Sequence, residues 1–187
     1  MRLRRGRPLA PDILAVCTGN LCRSPIVMGL LRSRLPGLLI VSAGTAARAG
    51  EPLHPLARAV LSDAGLETCD GWRAQSLDAR VVRGSALVIA ATREHRTEVV
   101  RLDPTAAHRA FTVYEIGRLL RAKPPSEPTV LGVIEAANAA LAHDPPDQDD
   151  DLADPLGLPI EAFRRCLDEV QVALDPLIRA FSPANAP

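Results

Sequence analysis

A cysteine and an arginine separated by five residues stand near the start of the chain, in Val16-Cys17-Thr18-Gly19-Asn20-Leu21-Cys22-Arg23-Ser24-Pro25. Gly19 and Asn20 tolerate left-handed backbone angles, which a tight concave loop requires and most side chains resist. A loop of this kind, running through Thr18, Gly19, Asn20, Leu21 and Cys22, can turn successive backbone N–H groups inward and bind an oxyanion. Arg23 adds a planar fork of donors that matches two phosphate oxygens at once, which a lysine cannot do. Ser24 is expected as a helix N-cap and Pro25 as the first helical residue, where its missing N–H costs nothing. Cys17 then lies over a helix N-terminus and near a guanidinium, and both favour the thiolate, the nucleophilic form of cysteine.

A loop so placed needs a strand to deliver it and a helix to receive it. Ile13-Leu14-Ala15-Val16 is a short, fully apolar run of the kind expected in a buried parallel strand. After the loop, Ile26, Val27, Leu30, Leu31 and Leu35 recur at helical spacing until Pro36-Gly37. Leu38–Val41 reads as a second strand, Pro55–Ala64 as a helix, and Ala86–Ala90 as a third buried strand followed by Thr92–Arg96. Phe111–Val113 is expected as the fourth strand, with a short helix over Glu115–Arg121. Val130–Ala142 is Ala-rich and predicted helical, and Pro159–Phe181 closes the chain as a helix with a Phe163, Leu167, Val170 and Leu174 stripe and a kink or end at Pro176. Alternating strands and helices predict an α/β fold: one doubly wound domain with a central four-stranded parallel sheet flanked by helices on both faces. Ligands of such sheets bind beyond the carboxyl ends of the strands, and Cys17 is at such an end.

Composition removes several alternatives. The 187 residues suit one domain. Twenty-two basic residues balance twenty-two acidic ones and only 3% are aromatic, so no nucleic-acid surface is expected. No apolar run reaches membrane-spanning length, and the basic start, residues 1–11, reads as a flexible solvated arm because Pro11-Asp12 breaks the apolar segment that an export signal needs. Cys17, Cys22, Cys69 and Cys166 lack paired framework spacing, which makes a reducing cytoplasm the expected compartment. The acidic run Asp147 to Asp151 lacks the glycine and terminal glutamate of a calcium loop, and His54, His95, His108 and His143 show no metal-ligand spacing. No metal and no cofactor is expected, and none of the histidines is placed by the sequence as a base for Cys17. Nothing in the residues sets an oligomeric state.

The filled pattern Cys17-Thr18-Gly19-Asn20-Leu21-Cys22-Arg23-Ser24-Pro25 resembles the signature loop of the low-molecular-weight protein tyrosine phosphatases. Ser42-Ala43-Gly44-Thr45 and Thr92-Arg93-Glu94-His95-Arg96 are also similar to family segments. The resemblance implies a phosphatase domain over residues 12–182 that hydrolyses a phosphomonoester through a phosphocysteine on Cys17, with Arg23 and Ser24 in the catalytic set. Phosphotyrosine on proteins is the implied substrate, a small-molecule phosphate the alternative. Asp154-Pro155 resembles the family's late Asp-Pro loop, which implies Asp154 as the acid that protonates the departing oxygen and then activates water. Cys22 has two readings, a small buried apolar residue or, as the resemblance implies, a partner for a reversible disulfide with Cys17.

The chain departs from the family at its rim. The spacing from Cys17 to Asp154 is longer than usual, the excess falling in a Pro/Asp-rich, insertion-like segment, residues 123–151. Leu156-Gly157-Leu158 follow the acid where aromatic residues are common, and Trp72 stands where many members have a histidine that supports the loop. Leu21 is an apolar wall; members acting on phosphoarginine carry threonine there, so Leu21 points to an aryl phosphate. Leu21, Trp72 and Leu156 are therefore the expected specificity residues. Two other functions fit the loop. An arsenate reductase needs two later cysteines close in sequence, which Cys69 and Cys166 are not. A silent phosphate-binding regulator needs neither Cys17 nor Asp154.

Overall fold

Five consecutive apolar residues, Ile13–Cys17, form the central strand β1, and all five are buried. The computed structural model describes residues 10–68, 71–144, 147 and 149–181. The basic start through Leu9, Cys69 and the last six residues lie outside that set. Strands β1, β2 (Ile40–Gly44), β3 (Leu87–Ala90) and β4 (Ala110–Thr112) are all parallel, in the order β2-β1-β3-β4. The expected doubly wound α/β sheet is what the chain forms.

Side-chain alternation on β1 divides the core in two. Ile13, Ala15 and Cys17 face the larger cluster, built with helices α1 (Arg23–Arg34), α2 (Pro55–Asp63), α5 (Val113–Ala122), α6 (Val130–Leu141) and α7 (Ile160–Ala180). Leu14 and Val16 face the smaller one, with Val82 of α3 (Ala79–Gly84), Val99 of α4 (Arg93–Leu102) and Ala106 of a 3₁₀ turn over Pro104–His108. The chain winds from β1 to β2 on one side and then to β3 and β4 on the other, so the switch point lies between β1 and β3 at their carboxyl ends. Cys17 ends β1 at that crevice.

The structure corrects several boundaries. Strand β2 starts two residues later than expected and runs on through Ser42-Ala43-Gly44, because pairing with β1 continues to Cys17 opposite Gly44. Strand β4 ends at Thr112 and α5 begins at once, since Thr112 and Glu115 form a reciprocal capping box. Helix α3 and the 3₁₀ turn carry no apolar stripe to announce them; each buries a single side chain, Val82 or Ala106. Helix α7 runs through Pro176 to Ala180. The carbonyl that this proline cannot serve, that of Val172, accepts instead from the Arg121 guanidinium. In the 123–151 segment, α6 is capped by the Thr129 hydroxyl, which accepts from Gly132 N at 3.0 Å, and buries Val133, Ala137 and Ala140.

One glycine is a matter of clearance. At Gly44 a Cβ would come 2.4 Å from the carbonyl oxygen of Thr18 and 2.8 Å from the amide of Asn20, so the strand and the loop touch backbone to backbone. Gly44→Ala is expected to cost about 2 kcal/mol of stability and, by displacing the loop, about tenfold in kcat/KM. Urea unfolding and initial rates check both.

Candidate active site

The loop between β1 and α1 is held open from outside. The carbonyl of Cys17 accepts from Thr45 N at 2.9 Å, that of Thr18 from Ala46 N at 2.9 Å, and that of Leu21 from His54 N at 3.1 Å. With those carbonyls turned outward, the intervening amides are the groups left to face the concave side. Asn20 takes the left-handed conformation, φ 55°, whereas Gly19 does not. The buried Asn20 side chain ties the loop together: its amide donates to Ser24 Oγ and Ser42 Oγ, both at 2.9 Å, and its Oδ1 accepts from Gln75 N at 2.9 Å. His54 is fixed in turn by a ring stack on Phe163, centroids 4.9 Å apart.

Ser24 differs from expectation. Helix α1 begins at Arg23, its N-cap position is Cys22 with no side-chain cap, and Pro25 is the third helical residue rather than the first. The Ser24 hydroxyl is used instead at the nucleophile, 3.0 Å from Cys17 Sγ, and as a donor it favours the thiolate. Burial, with help from the Asp154 carboxylate and the Cys17 thiol, pushes the Cys22 thiol up to about 12. Cys22 therefore keeps its proton at neutral pH and does not compete with Cys17. Burial also pushes Cys166, in α7, up to about 12.

Arg23 joins the two halves of the site. Its guanidinium donates from Nη2 to Asp154 Oδ2 at 2.6 Å and to Thr18 Oγ1 at 3.2 Å, and from Nη1 to the Leu152 carbonyl at 3.3 Å. A cavity of about 130 Å³ opens over this pair, walled by Cys17, Leu21, Cys22, Arg23, Asp154 and Leu156. Trp72 packs, partly buried, against the larger core and is not among the described residues that wall the cavity. A cavity of about 500 Å³ between α5 and α7, lined by Tyr114, Arg118 and Val172, is larger but includes neither Cys17 nor Arg23 in its walls.

The acidic run does more than solvate a loop. Asp150 is buried and accepts from Arg118 at 3.1 Å and from Asp147 N at 2.8 Å, and Asp144 also pairs with Arg118. Asp151 grips Arg93 through its backbone N–H at 2.7 Å and its guanidinium at 3.0 Å, and that hydrogen bond holds the Asp151 carboxyl below the usual range. Leu152 N then bonds the Ala91 carbonyl at the end of β3. Asp154 is thus delivered to the cavity by a segment anchored on two helices and a strand, while its own side chain remains 43% exposed.

The low molecular weight phosphotyrosine protein phosphatase model matches residues 12–119. The chain belongs to this family. A protein-arginine-phosphatase of Geobacillus stearothermophilus is 32% identical over 88% of this chain and 92% of its own length. A probable low molecular weight protein-tyrosine-phosphatase, EpsP of Ralstonia nicotianae, is 29% identical over 90% and 96%. In three dimensions the tyrosine phosphatase AmsI of Erwinia amylovora superposes with a TM-score of 0.70 at 25% identity, covering 92% of this chain and 94% of its own. The chain is therefore a cysteine-dependent phosphatase. The family match ends before Asp154, whose place beside Cys17 rests on the geometry around Arg23.

Other residues of the phosphatase site escaped sequence reading. Gln75 supports Asn20 through its backbone amide, which no side-chain pattern signals. Ser42 reaches Asn20 from a neighbouring strand, 22 residues away in sequence. His95, which the sequence does not connect to Cys17, reaches the loop itself: its Nε2 lies 2.8 Å from Thr18 Oγ1.

Proposed function

We propose that this phosphatase hydrolyses an aryl phosphomonoester, phosphotyrosine on a protein, without metal and with Cys17 as nucleophile. Support comes from one observation above all: the Cys17 thiol, the Arg23 fork and the Asp154 carboxylate converge on a single cavity. In the first step the Cys17 thiolate forms the S–P bond as the bond from phosphorus to the aryl oxygen breaks, and Asp154 gives that oxygen its proton. In the second, the Asp154 carboxylate takes a proton from water, the water oxygen bonds phosphorus, and the Cys17 thiolate leaves. Loop amides and Arg23 hold the equatorial oxygens through both steps. Ser24 serves the sulfur, and Cys22, protonated in the same loop, is a resolving thiol for Cys17 once peroxide has oxidised it to the sulfenic acid, the pair closing to a disulfide with loss of water.

Leu21 and Leu156 favour an aryl group. Both wall the cavity, and Leu156 is 53% exposed at its mouth, where an aromatic ring can cover it. The similarity to an arginine phosphatase makes phosphoarginine the reading to exclude. Turnover of phosphotyrosine peptides, phosphoarginine and small-molecule phosphates, measured side by side, decides: preference for phosphoarginine overturns the aryl reading. We place the enzyme in a reducing cytoplasm; the described thiols Cys17, Cys22 and Cys166 are free, and among the described residues no helix is long and apolar enough to cross a membrane.

Asp154→Ala is expected to lower kcat by about 100-fold for phosphotyrosine but only about tenfold for p-nitrophenyl phosphate, whose leaving group needs less protonation. Equal losses would assign the acid elsewhere.

A further inference from the structure

We propose that His95 is a positioning residue of the phosphate loop, holding the Arg23 guanidinium in its working orientation through the Thr18 hydroxyl. The observation is an unbroken chain of side chains reaching from the cavity to the start of α4. Arg23 Nη2 lies 3.2 Å from Thr18 Oγ1, Thr18 Oγ1 lies 2.8 Å from His95 Nε2, and His95 Nδ1 lies 2.7 Å from Thr92 Oγ1.

Donor and acceptor capacities order the chain. A guanidinium only donates, so Thr18 Oγ1 accepts from Arg23, and its one proton is free to go to a neutral His95 at Nε2. The ring proton is then on Nδ1 and points at Thr92 Oγ1, which also accepts from the His95 backbone amide as the N-cap of α4. Thr18 itself lies at the surface, where a lone hydroxyl turns freely; His95 is 5% exposed and cannot move without disturbing the start of a helix. The anchor is therefore the buried partner and the exposed one is what it steers.

Charge favours the neutral ring this order requires. Burial, and then the Arg23 guanidinium, push the imidazole below its ordinary value, while Glu94 on its own helix and Asp154 and Asp151 on the acid segment oppose them without reversing the direction. A second cation here would face Arg23 and would remove the acceptor for the Thr18 proton. A cleft of about 300 Å³, lined by Thr18, Thr45, Glu94, His95, Thr97 and Glu98, reaches the assembly from solvent. Neither Cys17 nor Arg23 lines it, and His95 reaches the Arg23 guanidinium through Thr18.

The inference rests on the cysteine chemistry proposed above, and a double-mutant cycle with p-nitrophenyl phosphate tests it separately. His95→Ala and Thr18→Val are each expected to lower kcat/KM about tenfold, as a misaimed guanidinium would. Because both cut the same chain, the double variant is expected to lose no more than Thr18→Val alone. His95→Gln, whose terminal amide can occupy the position of Nε2, is expected to recover most of the activity. Single losses that multiply in the double variant, or a folded His95→Ala enzyme within twofold of wild type, overturn the positioning role. If His95→Ala does not fold, Thr18→Val and His95→Gln still decide: a Thr18→Val enzyme at wild-type activity, or a folded His95→Gln enzyme as slow as Thr18→Val, is a refutation. Activity that survives Cys17→Ser refutes the cysteine mechanism instead.

Discussion

Cys17→Ser is expected to lower turnover of p-nitrophenyl phosphate by 10⁴-fold or more, about the scale on which removal of a covalent nucleophile acts. A serine hydroxyl is a far weaker acid and nucleophile than a cysteine thiol, and the groups near Cys17 cannot make up the difference. Ser24 Oγ is 3.0 Å away but is a hydroxyl, not a base, and His95 spends its ring nitrogens on Thr18 and Thr92. Binding of inorganic phosphate is expected to change by less than about fivefold, because the loop amides and Arg23 hold the anion and the sulfur does not. Initial rates and titration calorimetry on the same preparation check the pair. Turnover within tenfold of wild type would remove the phosphocysteine from the mechanism, and lost phosphate binding would show that Cys17 also builds the loop.

Arg23→Lys is expected to cost on the order of 10³-fold in kcat/KM, because a lysine cannot grip two phosphate oxygens in a planar fork. The local structure enlarges the effect. Arg23 is 5% exposed and serves Thr18 and Asp154 from Nη2 and the Leu152 carbonyl from Nη1. A single ammonium on a shorter reach cannot meet all three, so the acid segment loses its tie to the phosphate loop as well. A stability loss of about 1–3 kcal/mol follows from the buried Leu152 carbonyl left unpaired. Thermal melts and rates with p-nitrophenyl phosphate measure it, and an Arg23→Lys enzyme within tenfold of wild type would mean that charge alone suffices at this position.

The groups with the strongest local signatures were legible in the sequence. A short, fully apolar run is of the kind expected in a buried strand, and β1 delivers Cys17 at its carboxyl end with all five residues covered. Asn20 announced the turn through its tolerance of positive φ, which it uses. The α7 stripe of Phe163, Leu167, Val170 and Leu174 is buried throughout. The helix after β4 was legible too, although the Thr112 and Glu115 capping box starts it at Val113, two residues before the expected Glu115.

What the sequence by itself determined is therefore the alternation of buried strands and helices and the identity of a loop whose residues are all within a few positions of one another. Only the tertiary structure decided which distant groups that loop meets. Ser24 is a helix N-cap by local preference, yet the fold starts the helix two residues earlier and turns its hydroxyl to Cys17. Asp150 and Asp151 belong by composition to a solvated run, yet Arg118 and Arg93, brought near by α5 and α4, draw them into ion pairs that carry Asp154 to the cavity. His95 is separated from Thr18 by 77 positions and meets it because β1 and β3 are neighbours in the sheet. Local spacing encodes helix, strand and turn, whereas a hydrogen bond between elements depends on strand order and packing, which no single segment contains.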